Sequence, residues 1–210
     1  STIGGGYGNT GSAGYSTISG GAANTASGYG STIGGGPAHI ASGCFSTISG
    51  GYYNCATSDF TTVVGGRCNV ASGRYSSILG GWLNIASGDY STTSGCCSTA
   101  SGNYSTASGG YSLASGQWSV AFMRGAIASG PNSLAIGGYT TASNNYSFAS
   151  GWCSTASGIY STASGLYNTA SGYYYASVHN GQYNYIGNIT CSCYANYGVV
   201  VNGNGNNTIG

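Results

Sequence analysis

The chain of 210 residues contains 41 glycines and 20 tyrosines but only five charged side chains, and its formal net charge is +1. So little charge gives no electrostatic basis for binding nucleic acid or acidic lipid. Disordered chains usually combine low hydrophobicity with high net charge, and a membrane span needs roughly 20 consecutive apolar residues; the sequence has neither pattern. We therefore expect ordered structure without membrane insertion.

Twelve consecutive copies of one short repeat occupy residues 1–174. Residues 1–90 hold six 15-residue copies, and residues 91–174 hold six 14-residue copies, which lack one residue of the glycine-rich turn. A unit this short cannot enclose a core alone, so each copy must stack on its neighbours. We predict two blocks of stacked coils, 1–90 and 91–174, and degenerate coils over 175–210 that continue the rod. Because Ser1 lies inside a repeat, we also expect a fragment or a processed product.

Two columns of the aligned repeat indicate the interior. Repeat position 3 is Ile or Val through Ile78 and Thr or Ala afterwards. The matching position in the second half of the repeat is Ala in every copy except the first, which has Gly11. Small side chains facing small or medium ones are typical of two short strands packed closely together. Glycines such as Gly20 and Gly21 lie between them, where tight corners need a positive φ. The pattern predicts an all-β fold, a parallel β-solenoid with one coil per copy.

The last position of the repeat is aromatic in ten of twelve copies, interrupted only by Gly30 and Asn132. With coils about 4.8 Å apart, these rings are expected to stack into an aromatic ladder. Such a ladder suits structural stacking or a sugar-binding stripe, and the sequence leaves both open. Its predicted members are Tyr15, Phe45, Phe60, Tyr75, Tyr90, Tyr104, Trp118, Tyr146, Tyr160 and Tyr174.

Repeat positions 2 and 4 flank position 3 and must point away from the interior. They are mostly Thr and Ser, but several are large and apolar, most densely between residues 119 and 137. A second apolar face must meet another chain or stay exposed, so we predict a homo-oligomer with these residues at its core. The residues are Val64, Leu79, Val120, Phe122, Leu134 and Ile136.

The segment Asn132-Ser133-Leu134-Ala135-Ile136-Gly137, followed by Thr141-Ala142-Ser143, resembles the head repeats of YadA-like trimeric autotransporter adhesins. This resemblance implies a left-handed parallel β-roll of three chains, in which Leu134 and Ile136 face the threefold core. The copies STISGGAANTASGYG and their neighbours also resemble tail or surface fibres of phages and large viruses. Both resemblances imply a fibre displayed on a cell or virion surface.

Residues able to support catalysis or metal binding are scarce. The chain has His39, His179 and two Asp but no Glu or Lys, and no Ser, His and acid constellation is visible. The eight cysteines fall in scattered columns, so we expect mostly free thiols rather than a disulfide framework or a zinc site. They are Cys44, Cys55, Cys68, Cys96, Cys97, Cys153, Cys191 and Cys193. We predict no enzymatic activity, no metal and no cofactor.

The favoured function is therefore structural, as a rigid spacer or adhesin head that contacts host glycans through exposed Tyr, Asn, Ser and Thr. An ice-binding solenoid is the alternative, because position 2 supplies a Thr column from Thr2 to Thr62. Large residues such as Val120, Leu134 and Phe148 interrupt that column, and they suit a protein interface better than an ice plane. We expect no thermal hysteresis.

Overall fold

The computed structural model describes residues 1–172, 175–186 and 208–209. These residues form β-strands, turns and bends, and none of them belongs to a helix that could span a bilayer. Contacts divide the chain into two compact units, residues 1–108 and 109–210. Within each unit the strands form two parallel sheets, which confirms the predicted all-β parallel β-solenoid.

In the first unit, odd-numbered strands pair in one sheet and even-numbered strands in the other, each in sequence order. Each coil contributes one strand to each sheet, as the repeat pattern requires. The strands are β1 (Thr2–Ile3), β2 (Thr10–Gly11), β3 (Thr17–Ile18), β4 (Thr25–Ala26), β5 (Thr32–Ile33), β6 (Ile40–Ala41), β7 (Thr47–Ile48), β8 (Cys55–Ala56), β9 (Thr62–Val63), β10 (Val70–Ala71), β11 (Ser77–Trp82), β12 (Ile85–Ala86), β13 (Thr92–Cys96) and β14 (Thr99–Ala100). Strand β15 (Thr106–Gly110) begins in this unit and ends in the next.

The second unit repeats the same alternation of two parallel sheets. Its strands are β16 (Leu113–Ala114), β17 (Val120–Phe122), β18 (Ile127–Ala128), β19 (Leu134–Gly138), β20 (Thr141–Ala142), β21 (Phe148–Trp152), β22 (Thr155–Ala156), β23 (Thr162–Leu166), β24 (Thr169–Ala170), β25 (Ser177–Gln182), β26 (Tyr185–Ile186) and β27 (Thr208–Ile209). Pairing of β23 with β25 and of β24 with β26 extends both sheets past residue 174.

The register of the sheets records the change of coil length. Thr62 pairs with Ser77, whereas Ile85 pairs with Thr99, so the step from one coil to the next becomes one residue shorter. The change occurs between β11 and β13, where the register shifts between Ile78 and Gly81. The shorter copies have thus lost their residue at the glycine-rich corner, while the strands on either side keep their partners.

Glycine is needed where the corners of successive coils approach closely. Gly66 has a φ of +88°, and a Cβ atom at this position would collide with the carbonyl oxygen of Gly81 in the next coil. Any other side chain would push two coils apart and break the sheet pairing on both sides.

The core of the first unit is a single layer of apolar side chains between the two sheets. Ile18, Ile33, Ile48, Val63 and Ile78 are fully buried from one sheet. The alanines that face them from the other sheet are also fully buried: Ala26, Ala41, Ala56, Ala71 and Ala86.

A column of buried amides lies beside this apolar layer. The Nδ2 of Asn54 donates to the carbonyl oxygens of Gly50 in its own coil and Gly66 in the next coil, both at 3.0 Å. The Oδ1 of Asn54 accepts the backbone N–H of Asn69 at 3.0 Å, and Asn69 repeats the pattern toward Asn84. Each side chain therefore satisfies corner groups of two coils, which a solenoid without side-chain caps would leave unpaired.

The interior of the second unit is built from smaller residues. Its fully buried apolar side chains are mostly alanines, for example Ala121, Ala135 and Ala149. Ser154 occupies the position that Asn holds in the longer coils, and its Oγ donates to the carbonyl oxygen of Gly165 at 2.9 Å. A coil one residue shorter encloses less space, and the interior side chains are correspondingly smaller.

Candidate functional sites: the aromatic corner and the apolar strand face

The last residue of each coil turns the chain with a left-handed backbone conformation, although it is usually aromatic. Phe60, Tyr75 and Tyr90 have φ values of +58°, +59° and +58°. Each backbone N–H at this position donates to the preceding coil; that of Tyr90, for example, reaches the carbonyl oxygen of Arg74 at 2.8 Å. Bulky residues rarely adopt this region, which costs about 1–2 kcal/mol per residue. A favourable contact between coils at these corners would offset that cost.

Ring stacking in the first unit supplies that compensation. The centroids of Phe60 and Tyr75, of Tyr75 and Tyr90, and of Tyr90 and Tyr104 are each 4.8 Å apart, with planes within 9° of parallel. Phe45 stacks on Phe60 at 5.5 Å. Aromatic pairs contribute about 0.5–1.5 kcal/mol beyond their buried area. Because the faces of these rings cover one another, the stack presents ring edges and hydroxyl groups outward.

The aromatic ladder changes at Gly30, which holds the corner position of the second coil. The ring of Tyr29, one residue earlier, fills the space of the missing corner ring. Its centroid lies 5.4 Å from that of Tyr15 and 5.6 Å from that of Phe45, and both contacts are edge-to-face. The gap left by a missing aromatic residue is thus wide enough for a six-membered ring. Sequence reasoning missed this role of Tyr29 because its position in the repeat is otherwise variable.

In the second unit the corner column holds Trp118, Asn132, Tyr146 and Tyr160, with φ values between +55° and +59°. Tyr146 stacks on Tyr160 at 4.9 Å with an interplanar angle of 4°. Tyr160 in turn stacks on Tyr175 at 5.2 Å. The predicted ladder residue Tyr174 lies outside the described residues.

A second aromatic corner, which sequence reasoning missed, lies midway along each coil. Tyr111, Tyr139, Tyr167 and Tyr183 have φ values between +55° and +58°, and Tyr167 stacks on Tyr183 at 5.1 Å. In the 15-residue copies this position varies among Gly, Ala, Tyr, Cys and Leu, so the column is aromatic only in part. Tyr recurs at this position in every second 14-residue copy, from Tyr111 to Tyr167, and this recurrence was the sequence signal for the second aromatic corner.

The three arginines lie over tyrosine rings. Arg67 is 5.3 Å from the ring centroid of Tyr52, Arg74 is 5.5 Å from that of Tyr75, and Arg124 is 5.8 Å from that of Tyr139. Cation–π contacts at exposed sites contribute about 0.5–1 kcal/mol. The cationic group of each arginine is thus held beside a tyrosine ring.

The predicted oligomer-core residues of the second unit lie side by side on one sheet. Val120 pairs with Leu134 and Phe122 with Ile136, and Leu134 pairs in turn with Phe148. We call the four predicted residues, together with Phe148, which was not among them, the apolar strand face. Phe122 and Ile136 are exposed, and the other three are half-buried. The alanines between them, Ala121, Ala135 and Ala149, point into the core.

In the first unit the predicted core residues Val64 and Leu79 are exposed and lie on successive coils, with the N–H of Val64 bonded to the carbonyl oxygen of Ile78 at 2.9 Å. Their neighbours in the outward columns are mainly Thr and Ser, which makes this apolar surface smaller than the apolar strand face.

His39 lies in the first unit and His179 in the second. His39 takes the place of Asn in the buried amide column, and its Nδ1 accepts the backbone N–H of Asn54 at 3.0 Å. Burial lowers the pKa of His39 below its usual value. His179 lies on β25. Within the described part of the chain, no group of three or more His, Cys, Asp or Glu could hold a metal ion.

The described cysteines are free thiols. Cys96 and Cys97 bring their sulfur atoms within 3.3 Å, and their hydrogen bond raises the pKa of Cys96. Burial and the neighbouring Cys68 raise the pKa of Cys55. Raised pKa values keep these groups protonated at neutral pH, and protonated thiols are poor nucleophiles and metal ligands. Cys191 and Cys193 lie outside the described residues.

The family model of the YadA head domain repeat matches residues 98–122, 128–152 and 155–174. These segments contain the whole apolar strand face and several rings of the corner column, Trp118 and Tyr146 among them. The chain therefore carries YadA head repeats in its 14-residue copies, as the resemblance predicted. A search of the curated proteins found no match. The resemblance to fibres of phages and large viruses stays a prediction.

Proposed function

We propose that this chain forms part of the head of an adhesin-type fibre displayed outside a cell or virion, and that it assembles as a homotrimer through the apolar strand face. The observation that carries the proposal is the coincidence of this face with the YadA head repeats. A coil of two short strands has one thin interior, which the alanines already fill. The outward Phe122 and Ile136 therefore need a second chain to cover them.

The free energy gained by burying the apolar strand face favours association of the chains. Burying a large apolar side chain contributes about 1.5–3 kcal/mol, and each protomer of a trimer would bury several of them. The strands on either side of the face add Thr and Ser, whose hydroxyls suit a polar rim. The role of such an assembly is structural, since a solenoid of head repeats supplies a stiff surface rather than a reaction centre.

Sedimentation equilibrium of the purified chain tests the assembly. We expect a trimer for the wild type and dissociation for the double variant Phe122→Ser/Ile136→Ser. Ile127→Ser removes a half-buried apolar side chain from the other sheet of the same unit, so it serves as the matched control and should remain trimeric. A compact, stable monomer of the wild-type chain would refute the proposal, and dissociation of the control alone would move the interface to the other sheet.

Glycans are the proposed partners of the assembled head. The corner columns present ring edges and tyrosine hydroxyls together with Asn, Ser and Thr and nearly no charge, a composition that suits hydrogen bonding with neutral sugars. Stacking on a sugar is available only where a ring face is left uncovered by its neighbours. On a glycan array we expect binding that weakens in Tyr146→Ala or Tyr160→Ala without loss of the oligomer. Absence of binding across a broad array would leave only the spacer role.

A further inference from the structure

The break in the aromatic column at Asn132 leaves a slot between Trp118 and Tyr146. We propose that this slot binds the ring of a single neutral hexopyranose, held between the two aromatic side chains. The proposal rests on the proposed glycan-binding function and assigns it to one place on the second unit. Asn132 itself is exposed at the centre of this break.

The backbone places the two walls on the same side of the coil. Trp118 and Tyr146 have φ values of +59° and +55°, so their side chains leave the corner in the same direction. Tyr146 is stacked on Tyr160 at an angle of 4°, which turns its opposite face toward the position of Asn132. Trp118 and Tyr146 are each 52% exposed.

The size of the slot suits a sugar ring. Two coil spacings separate its walls by about 9.6 Å, since neighbouring strands lie about 4.8 Å apart. The first unit provides an internal precedent, because Tyr29 fills the equivalent space beside Gly30 and contacts rings on both sides. At the second break the residue before Asn132 is Pro131, which cannot fill the space in the same way, and Asn132 is much shorter than a tyrosine.

The polar groups around the slot favour a sugar over a purely aromatic ligand. Asn132 brings a carboxamide donor and acceptor to the break, and the exposed Gln117 and Asn145 lie on the adjacent coils at the position next to the corner. Amide groups pair well with neighbouring sugar hydroxyls, while the C–H face of a pyranose packs on aromatic rings. Pro131 occupies the same position between them, so this part of the rim is uncharged, and a neutral sugar is the expected ligand.

The test uses two variants that fill the slot by different means. Asn132→Tyr completes the ladder with the residue type that other coils carry at this backbone conformation. Pro131→Tyr/Asn132→Gly copies the Tyr29–Gly30 arrangement and closes the slot from the side. Ser101→Tyr adds an exposed tyrosine on the first unit and is the control. Thermal unfolding of each variant verifies that it is folded.

Binding of the methyl glycosides of glucose, galactose and mannose is measured by saturation-transfer NMR, and by Trp118 fluorescence in a Trp82→Phe/Trp152→Phe background. We expect binding of at least one glycoside with a Trp118 response, at least tenfold weaker in both slot-filling variants and unchanged in the control. Glycan binding that survives in both variants would overturn the slot and leave the broader glycan proposal intact. Absence of binding to any glycan would overturn both, and binding of phenol in place of the glycosides would overturn the assignment to a pyranose.

Discussion

At the scale of single residues, the corners couple an unfavourable backbone conformation to a favourable contact between coils. Phe60, Tyr75 and Tyr90 share a φ near +58°, and their rings stack at 4.8 Å. Glycine would adopt this backbone without strain but would leave no ring to stack. The two effects are of similar size, about 1–2 kcal/mol for the backbone and about 0.5–1.5 kcal/mol for each ring pair.

Substitutions at Tyr90 separate these two effects. Tyr90→Ala loses both stacking contacts and keeps the strained φ, whereas Tyr90→Gly loses the contacts but removes the strain. We expect both to lower the free energy of unfolding, with alanine worse than glycine by about 1 kcal/mol. Equilibrium denaturation measures the difference. Alanine equal to or more stable than glycine would show that the corner backbone is not strained in this chain.

His39 makes the amide column of the first unit sensitive to pH. Its Nδ1 accepts an N–H from Asn54, so protonation would place two donors against each other. Burial lowers the pKa of His39 in the folded chain below the usual value of 6.5. Below a pH of about 6.5, His39 binds a proton more readily in the unfolded chain than in the folded chain. The folded state therefore loses stability as the pH falls from that value toward the lower pKa of His39 in the folded chain.

His39→Asn should remove this pH dependence, because Asn is the residue that the neighbouring coils use and it does not titrate. The prediction is that wild type and variant differ more in the free energy of unfolding at pH 5 than at pH 8, with the variant more stable at the lower pH. Denaturant titrations at the two pH values measure this. A difference that stays constant between them would mean that His39 is equally protonated in the folded and unfolded chains.

The sequence predicted some of these residue roles and not others. The aromatic column was visible because ten of twelve copies carry a ring. The amide column was also periodic, but buried Asn is not an expected feature of a core. The role of the amide column became clear only from the hydrogen bonds that each carboxamide makes to its own coil and to the next. In the 15-residue copies this column consists of Asn9, Asn24, Asn54, Asn69 and Asn84, with His39 in the remaining copy.

At the scale of the coil, length and interior volume change together. The 15-residue coils enclose Ile with Asn, as Ile48 and Asn54 show, whereas most 14-residue coils enclose Ala with a smaller residue than Asn, as Ala149 and Ser154 show. The last 14-residue copy keeps Asn168 at this position. The register identifies the glycine-rich corner as the place where the residue was lost. The repeat arithmetic predicted the parallel pairing and the narrow interior, because two columns of the repeat carried the apolar signal. It missed the second aromatic corner, because the residue type there varies from coil to coil and only the alternate 14-residue copies carry Tyr.

Reciprocal substitutions test this match between coil length and interior size. Ile48→Ala leaves a cavity in a long coil, for which about 2–5 kcal/mol of destabilisation is expected. Ala149→Ile overpacks a short coil and should cost about 1–3 kcal/mol or prevent folding. Both are measured as changes in the free energy of unfolding, or as resistance to protease where unfolding is not two-state. Tolerance of Ile at position 149 would show that the short coils have unused interior space.

At the scale of the whole chain, the near absence of charge is the dominant feature. The five charged residues lie at turns or isolated bridges, and none lies within a strand. They are Asp59, Arg67, Arg74, Asp89 and Arg124. The three arginines are placed over tyrosine rings. The outward strand positions therefore carry hydroxyl and apolar groups rather than charges, so any assembly through them depends on apolar burial and hydrogen bonds.

This charge distribution predicts that the proposed trimer is insensitive to salt. Raising NaCl from about 0.01 M to about 1 M shortens the screening length from roughly 30 Å to roughly 3 Å, which weakens interfaces held by exposed ion pairs. An interface of Phe122, Ile136 and their neighbours on the apolar strand face contains no such pairs, so its dissociation constant should stay constant or fall slightly as salt increases. Sedimentation across this range measures the constant, with Phe122→Ser/Ile136→Ser as the dissociated reference. Dissociation at high salt would instead place charged corner residues, such as Arg124, at the contact between chains and would exclude the apolar strand face as its main source of stability.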